Sequence, residues 1–365
     1  MPIYMDVHIV PGVTARAVAQ AHSMDVLIQH EHACKCMTYW IDETRETVFC
    51  LIEAPDIGAV VEMHNKAHGL IPHKIIEVNS NVVESFLGRI YDPSDAVMQD
   101  GLKVFKDPSL RILLVTKTID PVLLQHKLGP EKAKELLNNY NQIVRKNIEQ
   151  FGGREVQHEG KGFIISFSSA SQAVACALAL HGEMAEQDDA SLGFKISINS
   201  GEPIQESNEL FGDTVQLAKQ MVSNPKEFRV ALTSSVRALL SNDHFKMDGT
   251  QFFTLSPPHE ELLKLLFNTL EAHWQDPEFD VDDYCKAMGM SKSQLYRKTI
   301  SLTGLAPNLL LKEFRLEKAK ELMQKQYYNI SQVTFDSGFT SPSYFTKCFK
   351  KKYGLLPMNY VELLQ

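Results

Sequence analysis

The sequence predicts a multi-domain chain of α+β and all-α class, with two mixed α+β units followed by an all-helical end. Three observations predict it. The 365 residues exceed what one ordinary hydrophobic core covers. Joints rich in Pro and Asp interrupt the chain at 91–108 (YDPSDA, KDPS) and at 254–259 (TLSPPH). The apolar period also changes from mixed strand and helix spacing to purely helical spacing after the second joint. The resulting segments are 1–90, 109–254 and 259–365. With 44% hydrophobic and 22% charged residues the composition is that of globular proteins. No apolar run approaches the roughly 18 residues that a membrane span requires, so a membrane-spanning role is excluded. The opening MPIYMDVHIVPG has no basic stretch and apolar core of an export signal, which predicts a cytoplasmic protein. Cysteines 34, 36, 50, 176, 285 and 348 follow no regular spacing, and no disulfide framework is expected.

In the first segment, residues 3–9 alternate as a strand, 15–29 have helical spacing, and 36–41 and 47–53 read as strands. A helix at 55–67 and a strand at 74–78 complete a βαββαβ order, the plan of a ferredoxin-like sandwich. The middle segment starts with a buried strand at 111–115 and a long amphipathic helix at 130–151 that ends at Gly152-Gly153. Strands at 154–159 and 162–167, a helix at 170–186 and a strand at 194–200 add a second α+β layer.

The last segment carries the charge that the average hides. Between positions 285 and 355 thirteen Lys or Arg stand against four acidic residues, a local +9 on a chain of net charge −8, so the remainder carries −17. A basic module on an acidic body fits a nucleic-acid reader with an appended sensor. Two stretches in this segment share one grammar: a short helix, a Gly turn, and a second helix opening on Ser. In VDDYCKAMGMSKSQLYRKTISLTG the turn is Gly289 and the cap Ser291. There Leu295, Thr299 and Leu302 face inward, while the opposite face presents Ser293, Tyr296 and Arg297, flanked by Lys292 and Lys298, a set able to meet base edges and phosphates. In ISQVTFDSGFTSPSYFTKCFKKKYG the turn is Gly338 and the cap Ser341. Phe345 and Phe349 pack inward, Ser343, Thr346 and Lys347 point out, and Lys350, Lys351 and Lys352 extend the patch. A rod at 307–324, about 27 Å long at 1.5 Å per residue, spaces the two readers for successive major grooves.

Residues 260–364 strongly resemble the AraC/XylS family of regulators. The resemblance rests on GMS-x-x-x-L-x-R at 289–297, FRLEKAKELM at 314–323, GF-x-SPSYF at 338–345 and FKKKYGLLPMNY at 349–360. It implies a sequence-specific transcription regulator whose partner is double-stranded DNA. Base contact falls to Ser293, Tyr296, Arg297, Ser343, Thr346 and Lys347, and phosphate contact to Lys292, Lys298, Lys350 and Lys351.

Seven of the thirteen histidines (8, 22, 30, 32, 64, 68, 73) and cysteines 34, 36 and 50 lie within the first 73 residues. Asp6 and His8 share a strand face, and His64 and His68 sit four apart on a helix. Such N, S and O donors suit nickel, zinc or copper. The segment 1–83 also resembles a small ferredoxin-like nickel-binding family through MDVH, CMTYW, VFCLIEAPD and H-x-x-AHGLIPHKIIEV. The expected ligands are His8, His22, Cys36, Cys50, His64 and His68, with Asp6 as a further candidate.

Residues 110–240 resemble a class III nucleotide cyclase domain through LRILLV, HEGKGFIISF, NSGEP and LFGDTVQLAKQM. That family holds two metal ions on a pair of carboxylates. Thr116 and Lys117, and Lys161, stand where the carboxylates belong, and Gln216 and Gln220 replace the transition-state Asn and Arg. The expectation is a pseudo-cyclase that is not an enzyme and that forms a homodimer or holds a small-molecule effector. The alternative is a nucleotide cyclase or metal-dependent enzyme carrying a DNA-binding tail.

Overall fold

The computed structural model describes residues 1–186, 192–224, 230–240, 252–325 and 329–364. In the first unit β1 (Ile3–Ile9), α1 (Ala15–Ile28), β2 (Lys35–Asp42), β3 (Thr47–Glu53), α2 (Ile57–Ala67) and β4 (Lys74–Val78) form the ferredoxin-like order, and α3 (Ser80–Leu87) follows. The antiparallel sheet runs β2-β3-β1-β4. Strand alternation gives it two apolar faces. Tyr4, Tyr39, Cys50 and Ile52 pack with Val18 of α1 and Val60 and Met63 of α2. Met5, Val7, Phe49 and Leu51 pack with Phe86 of α3 and with Leu113, Ile204 and Phe211 of the middle unit. β1 is therefore buried on both faces rather than half-solvated, because its second face is an interface.

The joint at 91–108 is not a free linker. It holds a hairpin of β5 (Val97–Gln99) and β6 (Leu102–Val104). Val104 is buried and Phe105 stacks on Tyr39 at 4.2 Å. Arg89 clasps the joint, donating to Asp107 Oδ2 at 2.9 Å and to the Tyr39 carbonyl at 2.6 Å.

The middle unit consists of β7 (Arg111–Lys117), α4 (Pro121–Leu128), α5 (Pro130–Gln150), β8 (Arg154–Glu159), β9 (Gly162–Phe167), α6 (Ala170–Glu186), β10 (Lys195–Gly201), α7 (Gly212–Ser223), β11 (Val230–Leu232), α8 (Ser234–Leu239) and β12 (Phe252–Thr254). Its sheet runs β12-β11-β10-β7-β9-β8. The β10-β11 and β11-β12 pairs are parallel, and the remaining pairs are antiparallel. One face is covered by α5 and α6 through Tyr140, Val144, Ala173 and Leu180. The other meets α7 through Ala218 and Val222.

The C-terminal unit is all helical: α9 (Pro257–His273), α10 (Val281–Met288), α11 (Lys292–Thr303), α12 (Pro307–Gln324), α13 (Ile330–Asp336), α14 (Pro342–Tyr353) and α15 (Pro357–Glu362). The prolines of the second joint start α9 instead of ending it, since the first helical turn needs no N–H donors. Two cores result. Helices α9 to α12 share one with Leu217 and Met221 of α7, and α12 to α15 share the other with Leu123 of α4. Each half of the helical unit is thus seated on a helix of the middle unit. No helix among the described residues is long and apolar enough to cross a membrane.

Candidate nucleic-acid interface and metal centre

In the first reader the Asp280 side chain caps α10 by accepting from the amides of Asp282 and Asp283. Gly289, at φ 62°, ends it in the left-handed region where a side chain is strained. Ser291 opens α11 in a capping box with Gln294. Leu295, Thr299 and Leu302 are buried, leaving Ser293, Arg297 and Lys298 exposed and Tyr296 half-buried on the opposite face. Lys292 pairs with Asp282 at 3.0 Å. Solvent screens an exposed pair of this kind, so a phosphate can replace the carboxylate.

The second reader repeats the arrangement. Ser341 caps α14 through the Tyr344 amide with Pro342 in the first turn. Phe345 and Phe349 are fully buried. Ser343, Lys347, Lys350 and Lys351 are exposed, and Thr346 is half-buried. Lys352 does not extend the patch as expected. It turns back on α12, 2.7 Å from Glu313 and 3.2 Å from Glu317, since its place on α14 faces the rod rather than solvent. Gly338 (φ 76°) lies against the end of α9: a Cβ there would come 2.2 Å from the Trp274 carbonyl and 2.8 Å from Arg315 Nε. Arg315 of the rod donates to the carbonyls of Trp274 and Asp276 at 2.9 and 2.5 Å. One contact therefore ties the rod, the end of α9 and the second turn together.

The metal-type donors converge in the first unit. Strand pairing sets Asp6 opposite Cys50, and the period of two puts His8 on the same face as Asp6. Helix α2 lays His64 and His68 over that face, one turn apart. His64 is the centre. Its Nε2 is 2.9 Å from Asp6 Oδ2, and its Nδ1 is 3.1 Å from Asp25 Oδ1 and 3.2 Å from His68 Nε2. His8 Nε2 lies 3.3 Å from the other Asp6 oxygen. One donor atom each from Asp6, His8, Cys50 and His64 falls within 4.8 Å of the others, and Asp25, His64 and His68 make a second such group. A cavity of about 70 Å³ lies against both groups, lined by Val13, Val18, Val48 and Leu70.

Electrostatics follow from this burial. Desolvation alone would lower the His64 pKa, but the charges of and hydrogen bonds to Asp6 and Asp25 outweigh it and raise it to about 10. Burial pushes Asp6 up, yet His64 and His8 hold it well below the usual carboxylate range. Asp25 is held down in the same way by His64 and His68. Burial, then Asp6 and Asp25, pushes the Cys50 thiol well above its ordinary value.

Two expected ligands stand apart. A bulge between Cys36 and Thr38 breaks the alternation of β2. The Cys36 sulfur sits 3.8 Å from the Met63 sulfur, and Cys50 lies opposite Tyr39, further along the strand. His22 borders the cavity, but its ring packs on Tyr39 at 5.2 Å and its Nε2 is 4.0 Å from Asp92. Asp25 was missed. Its signal was a buried carboxylate seven residues after Val18, on the apolar face of α1.

In the middle unit the β8-β9 turn abuts the end of β7, where the Lys161 carbonyl accepts from the Thr118 amide at 2.6 Å. This brings Lys161 beside Thr116 and Lys117, the other expected site of a lost carboxylate. Gln216 and Gln220 both donate to Asn268 of α9, at 2.9 and 3.2 Å. The helix that carries them is thus covered by the C-terminal unit.

Three family profiles match the chain, each over less than half of it. Residues 284–362 match a helix-turn-helix domain. Residues 4–78 match the nickel responsive protein SCO4226-like family, and 119–262 the adenylate and guanylate cyclase catalytic domain. The C-terminal unit is an AraC-type helix-turn-helix domain. Histidine kinase P4 of Formosa agariphila is 33% identical over 150 residues, 39% of this chain and 11% of that protein. The HTH-type transcriptional regulator MtrA of Neisseria gonorrhoeae is 33% identical over 85 residues, 23% of this chain and 28% of its own. The chain spans less than a third of either relative. The crystal structure of SCO4226 from Streptomyces coelicolor A3(2) is 32% identical, covering 21% of this chain and 94% of that one at a TM-score of 0.20. The AraC-type domain is carried on a cyclase-like middle unit and an SCO4226-like first unit.

Proposed function

We propose that the chain is a sequence-specific, DNA-binding transcription regulator whose first unit holds a transition-metal effector. The observation that carries the reading is the pair of capped helices α11 and α14. Their apolar faces are consumed by separate cores while polar and basic faces remain exposed at the two ends of one rod. Ser293, Tyr296, Arg297, Ser343, Thr346 and Lys347 take base edges. Lys292, Lys298, Lys350 and Lys351 take phosphates. Library selection of duplexes bound by the full chain tests this, and the absence of any salt-sensitive retention of duplex overturns it. Arg297→Ala should cost about 1–3 kcal/mol and relax preference at one base, whereas Lys351→Ala should weaken all sequences alike and flatten the salt slope by about one. Equal effects of the two sink the division of roles.

Asp6, His8, Cys50 and His64 offer one carboxylate, two imidazoles and one thiolate, a set suited to nickel, zinc or copper. His68 and Asp25 stand behind them on the shared imidazole. Bound metal can change DNA affinity only through its differential affinity for two arrangements of the chain.

The middle unit acts as a non-enzymatic scaffold. Lys161, where the family's metal carboxylate would stand, repels cations. Purified protein given ATP or GTP with manganese should form no cyclic nucleotide, and sustained turnover reverses the reading. Any homodimer through this unit uses a surface other than the α7 face, which α9 occupies. Sedimentation of the full chain checks its mass.

A further inference from the structure

Beside the apolar contacts of Leu123, Leu217 and Met221, one buried carboxylate joins the AraC-type domain to the middle unit. Asp120 Oδ1 caps α4 by accepting from the Val122 amide at 3.0 Å. Its Oδ2 accepts from Tyr360 OH at 2.9 Å and Gln324 Nε2 at 3.1 Å, and lies 3.5 Å from the ammonium groups of both Lys161 and Lys320. Beside this dock opens a cleft of about 650 Å³, lined from both units.

The charges lining the cleft do not balance. Lys117, Lys127, Lys161, Lys320 and Lys352 border it, against Asp120 and Glu317. Both carboxylates are already saturated: Glu317 accepts from Tyr353 OH at 2.8 Å and pairs with Lys320 and Lys352 at 3.1 and 3.2 Å. Crediting Glu313 to Lys352 still leaves a surplus of two positive charges. Of the two cleft lysines without an ion pair among the described residues, Lys127 is exposed and Lys117 is not. Lys117 is the one that bears on the cleft. It is half-buried, its ammonium donates to Ser223 Oγ at 3.1 Å, and it forms no ion pair among the described residues. Burial lowers its pKa, and Lys320, Lys161 and Lys195 repel its charge while Glu317 alone favours it. A half-buried cation among other cations is unfavourable unless an anion joins them.

We propose that this cleft binds a small multivalent oxyanion, a phosphate- or carboxylate-bearing metabolite, gripped by Lys117 and Lys161 from the middle unit and by Lys320 and Lys352 from the DNA-binding unit. The volume is that of an ordinary small-ligand site. Ile119, Leu123 and Tyr353 supply apolar walls, and charge-assisted hydrogen bonds from lysine supply the grip. Half of the grip comes from outside the cyclase-like segment, so the site exists only while the two units are docked. A bound anion therefore stiffens the dock and restricts how α11 and α14 meet DNA.

The test is calorimetry of the full chain with pyrophosphate and, separately, citrate, at matched ionic strength. Saturable binding with one site per chain is expected, together with a rise in Tm. Lys117→Gln should weaken it by about tenfold or more, with Lys117→Arg retaining most of it and circular dichroism unchanged. Should Lys117→Gln fold poorly, Lys161→Gln on the half-buried β8-β9 turn reads the same loss. Preference for pyrophosphate names a phosphorylated ligand, and preference for citrate a polycarboxylate. Failure of both anions to saturate, or equal affinity in wild type and both Gln variants, overturns the proposal. Displacement of the anion by a short duplex of any sequence also overturns it, by assigning these lysines to DNA phosphates.

Discussion

Gly338→Ala should unfold the second reader and abolish high-affinity DNA retention, whereas Gly289→Ala, at the matching turn of the first reader, should cost only about 1–2 kcal/mol. Both glycines sit at positive φ, 76° and 62°, so both substitutions meet the same backbone penalty of about 1–2 kcal/mol. The surroundings differ. A Cβ at Gly289 meets nothing within 4 Å, while one at Gly338 meets the Trp274 carbonyl at 2.2 Å. Backbone cannot swing aside as a flexible side chain does. The end of α9 must therefore move, and Arg315 loses its two carbonyl acceptors. Charge-assisted bonds of this type contribute about 1.5–3 kcal/mol each, so the total should exceed about 3 kcal/mol. Denaturant unfolding of the full chain reads the difference. Equal midpoints for the two variants would show that the turn conformation, not the contact with Trp274, sets the cost.

The same pair of glycines shows what a sequence discloses about this chain. Gly turns, Ser caps and inward apolar positions are local, repeating features, and the helices stand where those features put them, the rod at Pro307–Gln324 included. Interfaces are not local. The apolar stripe of β1 could not tell solvent from a neighbouring unit, so burial of Met5 and Val7 against Leu113 and Phe211 was illegible. Helix α4 was overlooked because PVLLQHKL is short and has little amphipathic contrast. Its N-cap, Asp120, reads as an ordinary turn residue until Tyr360, 240 positions away, is seen to donate to it. For the metal-type cluster, composition found the donors but not their grouping. Cys36 shares the face of Cys50 but lies further along the strand, opposite Ile52 and against Met63, and a buried carboxylate on α1 entered unannounced.

His64→Ala should lower the affinity of the full chain for nickel and zinc by more than about a hundredfold, because His64 belongs to both donor groups. Removing it also leaves Asp6 and Asp25 facing each other without the cation between them. The loss of metal-free stability should be about 3–5 kcal/mol, the cost of stranding a buried charge. The two effects separate by pH. In the metal-free chain the His64 pKa is raised from 6.5 to about 10, so its contribution to stability is complete below 6.5 and is lost as pH rises toward 10. Asp6 and Asp25 are depressed, and their contribution is lost as pH falls below about 4. Metal affinity runs the other way on the alkaline side. A metal needs an unprotonated imidazole, so binding at pH 7 expels the His64 proton, and affinity should climb about tenfold per pH unit between 7 and 9. If Cys50 binds as thiolate, its proton leaves too, since burial keeps the free thiol protonated there, and the climb becomes about a hundredfold per unit. Titration calorimetry in two buffers of different ionisation enthalpy counts these protons directly. One proton per metal leaves Cys50 outside the site, two place it inside, and none sinks the assignment of His64 as the ligand.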